Sequence, residues 1–150
     1  ILFTGKDLVI LDFEGEPARS YSERRLKFSA IRDVAGMIRS FHYAAYGSLF
    51  LEGETRSKDI NTLIPYGEMW SHYMSGFFMH AYLQQVKGIG LIPEKEEDIK
   101  LLLDVFLLSK AFYELNYELN NRPDWVMIPL RGILSIHQNK PAAHDCKDPR

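Results

Sequence analysis

Residues 9–17 read VILDFEGEP: an apolar run that stops on Asp12 and meets two more carboxylates, Glu14 and Glu16, within four residues. Val9-Ile10-Leu11 has the composition of a buried strand, and Gly15 and Pro17 break regular structure behind it. A strand that ends on this much negative charge does so either in a solvated turn or beside something positive. On the N-terminal side, Ile1-Leu2-Phe3 and Leu8-Val9-Ile10-Leu11 flank Thr4-Gly5-Lys6-Asp7. Two short apolar runs around a Gly-containing turn predict a β-hairpin over 1–12. The start at Ile1, inside the apolar run, reads as a cut within a fold.

On the C-terminal side the period changes from two to 3.6. Residues 16–29 are charged and turn-rich, which predicts an irregular, mostly exposed segment. Ser29 has the chemistry of an N-cap. Ile31, Val34, Ala35, Ile38, Phe41 and Ala45 follow it at helical spacing, predicting a helix over 30–50. The stretch EGETRSKDIN, 52–61, reads as a polar loop. Pro65 is the expected start of a helix over 65–87, with Trp70, Tyr73, Phe77 and Phe78 read as core and Gly88-Ile89-Gly90 as the stop. Pro93 followed by Glu94, Glu96, Glu97 and Asp98 predicts another helix start, because acids complement the positive end of the helix dipole. That helix, 93–119, carries apolar residues on more than one face and is expected to be central. Asn120-Asn121-Arg122-Pro123 ends it, a short helix over 129–137 follows, and 138–150 is a polar tail. The fold class is therefore mainly α, one hairpin followed by a helical domain.

Bulk composition narrows the function classes. The chain has 150 residues, 46% of them hydrophobic, enough for one domain with a core. A net charge of −2 offers no basic patch for nucleic acid. No apolar run is long enough to span a bilayer and no signal peptide is visible, so no membrane partner and a cytoplasmic location are expected. The one cysteine, Cys146, supports no internal disulfide or thiolate cluster. His72 and His80 are eight apart, not at the i,i+4 spacing of a shared metal, and with His42 they read as structural or surface residues.

A carboxylate at a strand exit is a common metal–phosphate device, because the strand fixes the ligand while the loop admits a hydrated Mg²⁺. By residue type alone, Asp12-Phe13-Glu14 followed by Gly15 is a weak match to that device and reads more readily as a solvated turn. The longer context is more specific. LVILDFEGEPARSYSERRLKFSAIRDVAGMIRSFHYAA, 8–45, resembles the bacterial maltokinases in its DFEGEP, SERR, RDVAGM and RSF-YAA segments. LLSKAFYELNYELNNRPDWVMIPLRGIL, 107–134, resembles the C-terminal segment of the same family.

The resemblance implies the helical C-terminal lobe of an aminoglycoside-phosphotransferase/protein-kinase-like fold. It implies a parent enzyme that moves the γ-phosphate of ATP to the anomeric hydroxyl of maltose, alone or fused behind a trehalose synthase domain. It gives Asp12 the role of Mg²⁺ ligand, with Glu14 assisting, and gives Asp33 the role of holding the catalytic loop. Asp33 is equally well placed as an N-terminal helix acid, and Arg32 is a candidate for a structural ion pair. The nucleotide lobe and the H-G-D-x-H-x-x-Q-like loop that supplies the base are not in these residues. The chain alone is therefore expected to be an inactive fragment, with an N-terminal lobe of the same polypeptide as its partner.

The acceptor side is expected in residues 113–125, YELNYELNNRPDW, which combine aromatic faces with planar hydrogen-bonding groups. Glu114, Tyr117 and Arg122 lead as maltose contacts. Tyr113 and Trp125 also suit a core, and Asn120 to Arg122 also suit a helix cap. A second functional class stays open: a non-catalytic kinase-like module that binds sugar or packs on a trehalose synthase. A third is a kinase for another small hydroxyl compound.

Overall fold

The computed structural model describes residues 1–11, 15, 20–50 and 57–138. The chain is mainly helical, with a short antiparallel hairpin at its N-terminal end. In the hairpin, β1 (Leu2–Phe3) pairs with β2 (Leu8–Val9) in the register Leu2↔Val9 and Phe3↔Leu8. Thr4 and Asp7 close its turn: the Thr4 N–H donates to the Asp7 carbonyl at 2.9 Å and the Asp7 N–H to the Thr4 hydroxyl at 3.1 Å. Gly5 supplies the positive φ of 91° that this turn requires. The ladder is shorter than the apolar runs, and Leu2, Phe3, Leu8 and Ile10 are all exposed.

Within the segment expected to be irregular, one helical turn forms, α1 (Tyr21–Arg24). Its cause is a capping box: the Ser20 hydroxyl accepts from the Glu23 N–H, and the Glu23 carboxylate accepts from the Ser20 N–H at 2.9 Å. Helix α2 (Ile31–Phe50) begins where the Ser29 hydroxyl accepts the Ile31 N–H at 3.3 Å. Its apolar face closes over Ile31, Val34, Ala35, Ala45 and Tyr46, all buried.

Helix α3 (Ser57–Val86) starts eight residues before Pro65, which lies inside it. Ile60 and Ile64, one turn apart, both pack into the core around Tyr46 and Ile128, and this anchorage carries the helix through the proline. Gly67 lets α3 approach α2 closely: a Cβ there would meet the Leu49 methyl at 3.1 Å. Around Gly67 the contact of α3 with α2 is thus aliphatic and small. The aromatic stripe expected in the core is turned outward, with Trp70 45%, Tyr73 60% and Phe77 70% exposed. Phe78 is the exception: it is half-buried and, like the inner edge of Trp70, meets Phe41 of α2 edge-on.

Helix α4 (Glu96–Asn121) starts three residues after Pro93, with Lys95 as its N-cap and Glu96, Glu97 and Asp98 in the first turn. Asn121 ends it, and Pro123–Trp125 form a 3₁₀ turn before α5 (Met127–Gln138). The central helix is α2, which packs against α3, α4 and α5. Only a narrow stripe of α4, Ala111, Glu114 and Glu118, is fully buried, and Leu101, Val105, Phe112 and Leu119 are exposed. That corrects the expectation of a central 93–119 helix. Among the described residues no helix is long and apolar enough to cross a membrane.

Candidate functional site at the α2–α4 interface

The α2–α4 interface is built around a buried arginine. Arg39 lies at the helical spacing of the apolar face, one turn after Ala35, and is only 3% exposed. Its Nε donates to Glu114 Oε2 at 2.8 Å, and its Nη2 lies 2.7 Å from the same oxygen. Nη1 sits 3.1 Å from His42 Nδ1. A guanidinium only donates, so His42 Nδ1 is the acceptor and its ring proton sits on Nε2. The arginine reaches this position because Gly132 of α5 faces it, and a Cβ at Gly132 would fall on the guanidinium.

Burial sets the protonation of the group. It pushes the Glu114 carboxyl up from its ordinary value, against the opposing pull of Arg39 and Lys110. His42 moves the other way, lowered from 6.5 to about 3 by burial and by the positive charges of Arg39 and Arg131. At neutral pH it is an uncharged imidazole.

One turn further along α4, Glu118 is 1% exposed and accepts three hydrogen bonds. These come from Tyr43 Oη at 3.0 Å, Arg122 Nε at 2.9 Å and Arg122 Nη2 at 2.7 Å. Burial and the two carboxylates Glu114 and Glu118 raise the Tyr43 phenol, which stays protonated and donates. The Arg122 guanidinium also lies over the Trp125 ring at 4.6 Å and the Tyr117 ring at 5.4 Å. Tyr43 stacks on Trp125. This corner reverses the chain between α4 and α5: the Arg122 N–H returns to the Glu118 carbonyl at 2.8 Å.

Of the residues expected to act, the structure brings Tyr117 and Arg122 together and commits Glu114 to Arg39. Tyr117 is 44% exposed, so a face of that cluster is open to solvent. Asn120 and Asn121 donate their side-chain amides one turn back along α4, to the carbonyls of Asn116 and Tyr117 at 2.6 and 2.8 Å. Asp33 is exposed on the first turn of α2, and its charge reaches Tyr82 of α3, whose phenol is raised by burial and by Asp33. Arg32 lies 4.5 Å over the Phe28 ring. Asp12, Glu14 and Glu16 lie outside the described residues, as do Cys146 and the tail beyond Gln138. Among the described residues no group of three or more His, Cys, Asp or Glu is placed to hold a metal ion.

Sequence reasoning passed over Arg39, Tyr43 and Glu118 as a unit. A signal was present: a charged residue at position 39 falls on the buried face of an amphipathic helix, where it needs an ionic partner. Beside Arg39, residues of α2, α3, α4 and α5 line a cleft of about 630 Å³ that is open to solvent. A second polar cluster lines it: Tyr46 Oη donates to Glu68 Oε1 at 2.7 Å, and Arg131 Nη1 approaches the same oxygen at 3.3 Å. His42 and His72, expected to be structural or surface residues, both line this cleft. No family model matches the chain.

Proposed function

We propose that the chain is the helical C-terminal lobe of a maltokinase-type sugar kinase, with an aminoglycoside-phosphotransferase/protein-kinase-like fold. One observation supports the reading beyond the sequence blocks themselves: the two blocks meet. Arg39 and Tyr43 of the first bond to Glu114 and Glu118 of the second across 75 residues of chain in each case. The segments that carry the resemblance are therefore one structural unit.

In this reading the polypeptide transfers the γ-phosphate of ATP to the anomeric hydroxyl of maltose. Asp12, with Glu14, would hold Mg²⁺, and carboxylate oxygens are the ligand type that ion takes. The ion would neutralise charge developing on the transferred group. Asp33 would hold the catalytic loop. Tyr117 offers an open ring face for stacking a sugar, and Arg122, fixed by Glu118, offers planar donors beside it. Glu114, three residues earlier, would act by keeping Arg39 in place. The nucleotide lobe and the base-bearing loop are not among these 150 residues. Activity is therefore proposed for a longer polypeptide, alone or joined to a trehalose synthase domain, and the 150-residue chain is expected to be inactive.

The test is phosphoryl transfer by that longer polypeptide with ATP and Mg²⁺ across maltose, glucose, trehalose and an aminoglycoside. Product from maltose alone, lost by about a hundredfold or more in Asp12→Asn, is the expected outcome. Transfer to a different acceptor, or an Asp12→Asn variant with full Mg²⁺-dependent activity, would overturn it. No transfer from a folded polypeptide would move the assignment to a non-catalytic sugar-binding module.

A further inference from the structure

We propose that the cleft between α2, α3, α4 and α5 is a binding site for a small polyhydroxylated ligand bearing one oxyanion group, a phosphate ester or a carboxylate. The site is separate from the α4 corner, and its assignment does not depend on phosphoryl transfer. Its volume, about 630 Å³, is in the range of small-molecule sites.

Three cationic side chains line it: the buried Arg39, the partly exposed Arg131 and the exposed Lys100 on α4. One of them carries a spare donor: Arg131 Nε is buried without a hydrogen-bond partner, while Arg39 is held by Glu114. A buried donor left unpaired is destabilising, and an acceptor-rich ligand would satisfy it. Lys100 makes no ion pair among the described residues. The opposite lining supplies what hydroxyl groups need: the carboxylates of Glu68 and Asp104 accept, the Ser71 hydroxyl accepts or donates, and the Ser75 and Ser135 hydroxyls, which give their hydrogens to the Ser71 and Gly132 carbonyls, accept. His42 adds a neutral imidazole, since its Nδ1 already faces Arg39. The positive field of Arg39 and Arg131, which helps keep His42 uncharged, is the field that would hold an oxyanion.

The test is calorimetric titration of the chain with glucose 1-phosphate, gluconate, inorganic phosphate and maltose, on the parent chain and on Arg131→Gln and Lys100→Gln. Lys100 is exposed and Arg131 partly so, and circular dichroism checks that each variant is folded. At least one of glucose 1-phosphate and gluconate should bind with a Kd below about 1 mM, and which one binds distinguishes phosphate ester from carboxylate. Inorganic phosphate and maltose, each with half of the recognised chemistry, should bind at least about tenfold more weakly. Arg131→Gln should weaken binding about tenfold or more, and Lys100→Gln severalfold. No binding of either charged sugar at about 10 mM overturns the site. So does maltose or phosphate binding as tightly as the charged sugars, or binding unchanged in both variants.

Discussion

Arg39 shows what one buried charge asks of its surroundings. It holds Glu114 on α4, His42 on its own helix and a bare glycine on α5 at the same time. Gly132→Ala would force the guanidinium back and leave Glu114 buried without its partner. The expected loss is about 2–4 kcal/mol, read as a lower urea midpoint at unchanged slope. Gly36→Ala is the contrasting case, because an added Cβ meets nothing there, and should gain about 0.5–1 kcal/mol.

His42 makes a pH prediction whose sign follows from its depressed value. Lying near 3 when folded against 6.5 unfolded, it contributes stability in full above about 6.5 and loses it as pH falls toward 3. Each unit of that interval is worth about 1.4 kcal/mol as an upper limit. Urea titrations at neutral and mildly acid pH should therefore show His42→Asn losing less stability on acidification than the parent chain. At this scale the sequence was half legible. Glu114, Tyr117 and Arg122 stand out by residue type in one short run. Arg39 hides in an apolar stripe, and nothing local announces that its partner lies 75 residues away.

Element boundaries follow local chemistry wherever a cap or an apolar period is strong. The Ser29 cap and the stripe from Ile31 onward define α2, and the acidic run at Glu96 to Asp98 defines the first turn of α4. The Ser20–Glu23 capping box was also legible as S-x-x-E but was submerged in a charged segment. Pro65 misleads because proline is both a good first residue and a tolerated interior one when flanking residues are anchored. Its ring removes one backbone bond from α3 and is exposed, so Pro65→Ala should raise the melting temperature, by up to about 3 kcal/mol of stability. A melting temperature that falls would mean that the proline sets a bend on which the α2–α3 packing depends. The aromatic run on α3 misleads for another reason. Hydrophobic type does not choose between two faces of one helix when small residues such as Gly67 allow the closer approach.

The whole molecule puts its apolar surface to unequal use. One central helix gathers three others around Tyr46, Ile64 and Ile128, while the hairpin and the outer faces of α3 and α4 stay open to solvent. The bonds joining α2 to α4 span 75 residues, with all of α3 in the intervening loop. Such contacts are closed late on a folding route, because the loop entropy must be overcome before they form. Tyr43→Phe, which removes one bond to Glu118, should therefore leave the folding arm of a chevron nearly unmoved and speed unfolding about fivefold. A slowed folding arm would instead place the Tyr43 contact in the transition state. The ionic seam between α2 and α4 thus acts as a latch on the lifetime of the folded chain: it sets how long the helices stay together, and has little say in how quickly they find one another.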